Sequence, residues 1–348
     1  MHAWGAAALA LFVLLSSLTG VLLVWKPTYL KLVIPEARVE FEPEPAALAR
    51  IVESIEAQFD VDDIGLIQLA TRDFPLTKVT LAETRYAYVD VEGNIVAEWF
   101  MNERWEEWLY DLHHRLLLGN RGLTIVGFIA LAMMLLVIAG VVSFWPMRRG
   151  LRLGVRPRGT EREHLLVTHR NIGVFEALPF LLTLATGAVL AFPFQTEAWL
   201  LDPLRRTQEY SDSLIENLDD TSGGDSGEWL PAMTRALATF PAGEVRSVTV
   251  ANRASPYRII GVKQPDEWHP DGMSRVYIEA ASGYMDVRFD AVTLPGVERA
   301  YHAVYPLHTG KLDSLPYKLF LTLSGLVVAT LASLGLVCFM RGRFGARR

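Results

Sequence analysis

HRNIGVFEALPFLLTLATGAVLAF, His169 to Phe192, decides the fold, because the chain carries its like twice. The counterpart is HAWGAAALALFVLLSSLTGVLLVW, His2 to Trp25. Both stretches are apolar, both begin with a histidine, and both hold a Thr-Gly pair deep inside. Thr19 and Gly20 follow His2 by 17 and 18 positions, and Thr186 and Gly187 follow His169 by the same intervals. Eighteen residues make about five helical turns, so a helix through either stretch puts its histidine and glycine on one face.

The rest of the composition agrees with a membrane setting. The chain has 348 residues, 51% of them hydrophobic, and a mean hydropathy of +0.23, too apolar for an ordinary soluble globule. Four runs are long enough to cross a bilayer: roughly 3–25, 122–145, 172–193 and 317–340. The first lacks the basic n-region and Ala-x-Ala site of a cleaved signal peptide, and reads as a retained helix.

Charge sets the expected orientation. The connector from Met147 to Arg170 carries seven Arg against two Glu, and four more Arg follow Met340. The loops at 26–121 and 194–316 are acidic on balance. The positive-inside rule therefore predicts cytoplasmic termini, a cytoplasmic connector and two outward-facing loops. The expected order is helix 1–25, outer domain 26–121, helix 122–146, Arg-rich connector 147–170, helix 171–193, outer domain 194–316, helix 317–340 and tail 341–348. The net charge of −6 belongs to the outer loops, and no basic platform for nucleic acid exists.

Cys338 is the only cysteine, which excludes a disulfide framework, a thiolate iron–sulfur cluster and a CxxCH haem site. No GxGxxG or GxxxxGK[ST] occurs, so neither standard nucleotide-binding loop is present.

Each loop reads as one helix-then-sheet module. In the first, Leu48, Ile51, Val52, Ile55 and Phe59 form the apolar stripe of a helix. LIQLAT, KVTLA, RYAYVDV and NIVAEWF follow as strands, with a hairpin turn at Glu92–Asn94. Trp99, Trp105, Trp108 and Tyr110 suit an aromatic belt at the membrane surface. In the second loop a polar Asp219–Glu228 stretch reads as mobile. EWLPAMTRALATF reads as a helix, and VRSVTVA, YRIIGVK, RVYIEA and YMDVRFD as strands, with a turn at Ser282–Gly283.

A second half-repeat supports the duplication. LHHRLLLGNRG before the second span matches LHTGKLDS before the fourth, and His113 precedes Gly140 by 27 positions, as His308 precedes Gly335. Gly119–Asn120 and Pro316 point to a broken or late-starting helix after each of these histidines. His114 is the rival to His113; the matched interval and the preceding leucine favour His113.

These residues resemble the PepSY-associated transmembrane family, which includes ferric-siderophore reductases. YVDVEGNIVAEW and YIEAASGYMDVRF look like closing strands of PepSY domains. HAWG with SLTG, LHHRLLLG, HRNIG with LATG, and YPLHTG look like the helix motifs. The resemblance covers nearly the whole chain. It implies an all-α four-helix transmembrane bundle of two tandem repeats, two extracytoplasmic α+β PepSY-like domains, and two b-type haems in a bacterial inner membrane. It also implies reduction of an Fe(III)-siderophore outside, with electrons from a cytoplasmic or quinol donor and membrane lipid around the helices.

The residue chemistry runs the same way. Ionisable residues at membrane helices are costly and usually functional, and neutral histidine is a good axial ligand for haem iron. By topology His2 and His169 pair at the cytoplasmic ends of the first and third helices, and His113 and His308 at the outer ends of the second and fourth. Each pair is a candidate bis-His site. Gly20, Gly187, Gly140 and Gly335 serve either to admit a flat macrocycle or to let helices pack. His164 and His302 have no repeat counterpart and read as surface or interfacial, and His269, in EWHPDG, reads as a loop residue. Two other functional classes remain open: a non-catalytic PepSY membrane regulator or binding protein, and a haem or metal transporter.

Overall fold

The computed structural model describes residues 2–150, 159, 161–202, 216–217, 228–283 and 285–344. Its α-helices are α1 (His2–Val24), α2 (Lys26–Val33), α3 (Pro45–Gln58), α4 (Trp105–Arg115), α5 (Gly119–Phe144), α6 (Arg162–Ala191), α7 (Pro193–Thr196), α8 (Trp229–Thr239), α9 (Gly296–Thr309) and α10 (Leu315–Phe344). Its strands are β1 (Ile64–Gln68), β2 (Thr77–Leu81), β3 (Arg85–Val89), β4 (Ile95–Phe100), β5 (Glu216–Asn217), β6 (Glu244–Thr249), β7 (Tyr257–Lys263), β8 (Ser274–Glu279) and β9 (Met285–Phe289). They form two units. One holds Met1–Val24, Trp108–Trp199 and Leu307–Arg348, the other Trp25–Glu107 and Leu200–Pro306.

Among the described residues of the first unit, three helices are long and apolar enough to cross a membrane: Gly119–Arg149, Arg162–Ala191 and Leu315–Gly342. The segment Leu9–Val24 reaches that length only together with Lys26–Val33, as a broken pair. The expected linker from Lys26 therefore begins as helix. The third span starts at Arg162, earlier than the expected residue 171, with Glu163 favourably placed in its first turn.

The long helices pack α1 on α10, α10 on α6, and α6 on α5, with α5 also touching α1. Small residues sit where they meet: Gly325 lies against Val21, and Gly127 against Phe192 and Ala191. Their outward faces are apolar, with Leu11 74%, Leu135 70% and Leu178 77% exposed. Such side chains gain about 1.5–3 kcal/mol each on leaving water. Hydrocarbon supplies that gain, and a helix satisfies its own backbone there.

Among its described residues the second unit has one nine-stranded antiparallel sheet in the order β4-β3-β2-β1-β6-β7-β8-β9-β5. Alternation builds it: β8 reads buried and half-buried in turn, and β2 does the same. The apolar stripe of α3 (Leu48, Ile51, Val52, Ile55) and the Trp229, Met233 and Ala236 face of α8 share one core with the sheet. Phe59 packs partly buried against that core. At the Glu92–Asn94 turn the Asp90 carboxylate accepts from the backbone amides of Glu92 and Asn94, at 2.9 and 2.8 Å, while Gly93 takes φ +91°.

Two findings differ from expectation. The outer loops are not separate sheets: β1 of the first pairs with β6 of the second, Ile67 opposite Val248 and Gln68 opposite Ser247. Trp99 is no belt residue. It is buried in the sheet unit with Tyr88 and Leu30, whereas Trp105, Trp108 and Tyr110 are exposed. Residues 219–227 of the polar stretch, and 151–158 and 160 of the connector, lie outside the described residues.

Candidate functional site

The site begins with two helix breaks. After α4 the chain turns through left-handed Leu116, Leu117 and Gly119 before α5, and after α9 through Gly310 and Asp313 before α10. These are the interruptions expected from Gly119–Asn120 and Pro316. Each break leaves a histidine near the end of a short helix, His113 on α4 and His308 on α9.

The two imidazoles are neighbours, with ring centroids 6.3 Å apart and planes tilted 47° to one another. A metal–imidazole bond is about 2 Å and the nitrogen lies about 1 Å from the ring centre, so two imidazoles on opposite sides of one metal ion hold their centroids roughly 6 Å apart. The observed spacing meets that demand.

Each ring is fixed from behind. Thr19 Oγ1 lies 2.9 Å from His113 Nδ1, and Thr186 Oγ1 lies 3.1 Å from His308 Nδ1. Each threonine hydroxyl also reaches carbonyls in its own helix, Thr19 that of Leu15 at 2.8 Å and Thr186 that of Leu182 at 2.9 Å. A carbonyl only accepts, and the hydroxyl has one hydrogen to give. The arrangement that satisfies both contacts has the hydroxyl donating to the carbonyl and Nδ1–H donating to the hydroxyl. That assigns the lone pair to Nε2, the nitrogen a metal needs.

His113 and His308 lie outside the long apolar spans. Burial first, then the neighbouring His308 and His114, push His113 down to about 4. Burial likewise takes His308 to about 4, against the opposing pull of the Thr183 carbonyl. Both are neutral at pH 7, the ligand form.

The glycines have a different role from the one their spacing suggests. A Cβ on Gly20 would stand 3.1 Å from His113 Cε1, and one on Gly187 3.0 Å from His308 Cε1. Gly335 relates likewise to His169 Cε1, at 3.4 Å. The glycine facing each of these histidines thus comes from another helix, and it seats an imidazole.

His169 occupies the other end of α6. Its Nδ1 lies 3.1 Å from the Leu331 carbonyl, which can only accept, so here too the lone pair is on Nε2. A cavity of about 480 Å³ opens beside it, lined by Gly140, Gly335, Arg170 and Glu176 within an apolar wall. That volume is in the range of small-molecule and cofactor sites. His2 lies in α1, but its side chain is outside the described residues.

His114 packs at a tilt against Tyr110, with centroids 5.2 Å apart, and the ring paired with His308 is that of His113. His269 stacks on Tyr305. Glu176 was not singled out from the sequence. Its signal was there, one acid in the apolar run GVFEALPF, and its partner is the Ser324 hydroxyl, which donates to Oε1.

Long lipid-compatible helices beside a separate antiparallel sheet define a multi-pass membrane protein. The chain belongs to the family described as the PepSY-associated TM region, whose model matches residues 1–341. A comparison with curated proteins gives no match.

Proposed function

We propose that this is a di-haem b electron-transfer protein of the bacterial inner membrane that reduces an Fe(III)-siderophore on the outer side. In this reading two tandem copies of helix, loop and helix close a four-helix bundle, with PepSY-like domains outside and both termini in the cytoplasm. His113 and His308 would hold one haem, and His2 and His169 the other. The observation that carries the reading is the His113–His308 pair: two imidazoles with centroids 6.3 Å apart, each with its Nδ1 held by a threonine hydroxyl.

Held by His113 and His308, a haem would supply a one-electron couple. The chain's own residues prepare that site. Thr19 and Thr186 fix the tautomers, Gly20 and Gly187 set how deep the rings sit, and burial keeps the imidazoles uncharged. The substrate's chemistry suits a one-electron donor. Fe(III) is a hard cation held by hydroxamate or catecholate oxygens, and reduction to Fe(II) lowers its charge and weakens that match.

The test starts from an absorption spectrum of the purified protein, which should show low-spin b-type bands and near two haems per chain. The anaerobically reduced protein, mixed with a ferric siderophore, should then oxidise while a ferrous trap such as ferrozine colours. Reduced bands that persist with every chelate class, and no ferrous complex, defeat the reductase reading. Absence of any bound chromophore favours a regulator, and substoichiometric, exchangeable haem favours a transporter.

A further inference from the structure

The cavity beside His169 contains an acid that the proposed function does not use. Glu176 follows His169 by seven positions in α6, about two turns, so both lie on one face, and both line the cavity. A carboxyl in the middle of a membrane-spanning helix is expensive and is retained where it serves a function. Its partner among the described residues is the Ser324 hydroxyl on α10, and no described cation pairs with it.

The surroundings sharpen the question. On α6 the cavity wall has His169 and Arg170 as further titratable or charged groups. The described residues that α1, α5 and α10 contribute are apolar side chains, glycines and Ser143. Arg170 turns its guanidinium to Asn171 Oδ1, at 3.4 Å. Beyond the Ser324 hydroxyl and the Arg170 guanidinium elsewhere in the wall, a carboxylate here has only what the cavity takes in to offset its charge. The contrast with the other end is sharp: behind His113 and His308 stand the neutral hydroxyls of Thr19 and Thr186.

We propose that Glu176 sets the charge balance of this cavity, standing as a carboxylate beside a cationic group bound at His169 and taking up a proton when that group loses its positive charge by one-electron reduction. The inference rests on the proposed function, since a ferric centre between two neutral imidazoles is such a cation. The electron comes from the donor and the proton from water. Glu176 passes from carboxylate to carboxylic acid, and the cavity's net charge is unchanged. A carboxylate beside the site favours the oxidised state, so the potential there falls as pH rises.

Spectroelectrochemical titration of the full chain in detergent at several pH values tests this, with wild type, Glu176→Gln and Ser324→Ala. Wild type should show two waves, one of which falls with rising pH. Glu176→Gln should move that wave to higher potential and abolish its pH dependence, leaving the other in place. Ser324→Ala keeps the acid but removes its donor, so the pH dependence should persist and shift to higher pH. Haem counting on each variant separates these effects from misfolding. Two haem waves left unaltered by Glu176→Gln, or both moved equally, overturn the inference alone. A wild type without haem brings down the proposed function and this inference together.

Discussion

His308 rests on the bare face of Gly187, its Cε1 3.0 Å from where a Cβ would stand. Gly20 holds His113 in the same way at 3.1 Å. Alanine is the better helix former by about 1 kcal/mol, so Gly20→Ala and Gly187→Ala should leave the long helices intact. Each should nonetheless push an imidazole off its seat. The expected outcome is a chain of normal thermal stability that loses one haem or shows altered low-spin bands, measured by pyridine haemochrome and absorption spectra. Unchanged haem content and bands in both variants would count against the seating role.

Substituting the ligands themselves should divide the haems by end. His113→Ala or His308→Ala should remove one haem and leave the other, and His2→Ala or His169→Ala should remove the second. His114→Ala should keep both, since its ring packs against Tyr110. Loss of both haems in every variant, or of none, refutes the pairing.

The threonines act one step back. Thr19→Val preserves shape and removes the oxygen that accepts from His113 Nδ1. Partners of this kind are worth about 10–100-fold in metal affinity, so haem at that end should exchange faster into an apo-globin acceptor. An exchange rate equal to wild type would show that the ring is held by packing alone.

The sheet unit has its own pH dependence. Glu107 is buried against Lys26 at 2.8 Å and Lys78 at 3.1 Å. Burial alone would raise its carboxyl, but the two ammonium groups outweigh it and hold the acid below its ordinary value. A folded value below the unfolded one adds stability that is present above the unfolded value of about 4.5 and lost as pH falls through the folded one. Hydrogen bonds to charged groups contribute about 1.5–3 kcal/mol, so Glu107→Gln should lower the melting temperature at pH 7 and flatten its fall below pH 4.5. Tryptophan fluorescence melts across pH would read it, and parallel curves for the two proteins would contradict it.

Orientation is checked by labelling in a Cys338→Ala background. Glu92→Cys, on the turn of the sheet unit, should react with an impermeant maleimide in intact cells, and Arg148→Cys should not. The opposite pattern reverses every statement about inside and outside.

The sequence made some of this legible and hid the rest for physical reasons. The matched intervals around His113 and His308 singled out the facing pair because a repeated spacing survives folding. Which glycine meets which histidine was hidden, because helical periodicity describes faces within one helix and these contacts join different helices. Trp99 differs from expectation because only a four-residue turn separates its strand from the aromatic WEEWLY segment, and in sequence an aromatic residue buried under a sheet resembles one at an interface. Glu176 escaped because one acid among apolar residues has no period at all. The β1–β6 pairing was equally silent: strand patterns give the buried face, and an edge carries no mark of the partner it will take.

That pairing has a consequence for how the protein is made. Ile67 meets Val248, so most of the chain must be synthesised before β1, already paired with β2, gains its second neighbour. At about 5–20 residues per second, β1 waits on the order of ten to forty seconds with its other edge bare, the kind of surface that recruits wrong strands. The first module is born incomplete and stays vulnerable until its twin arrives, which makes the second half of the chain the chaperone of the first.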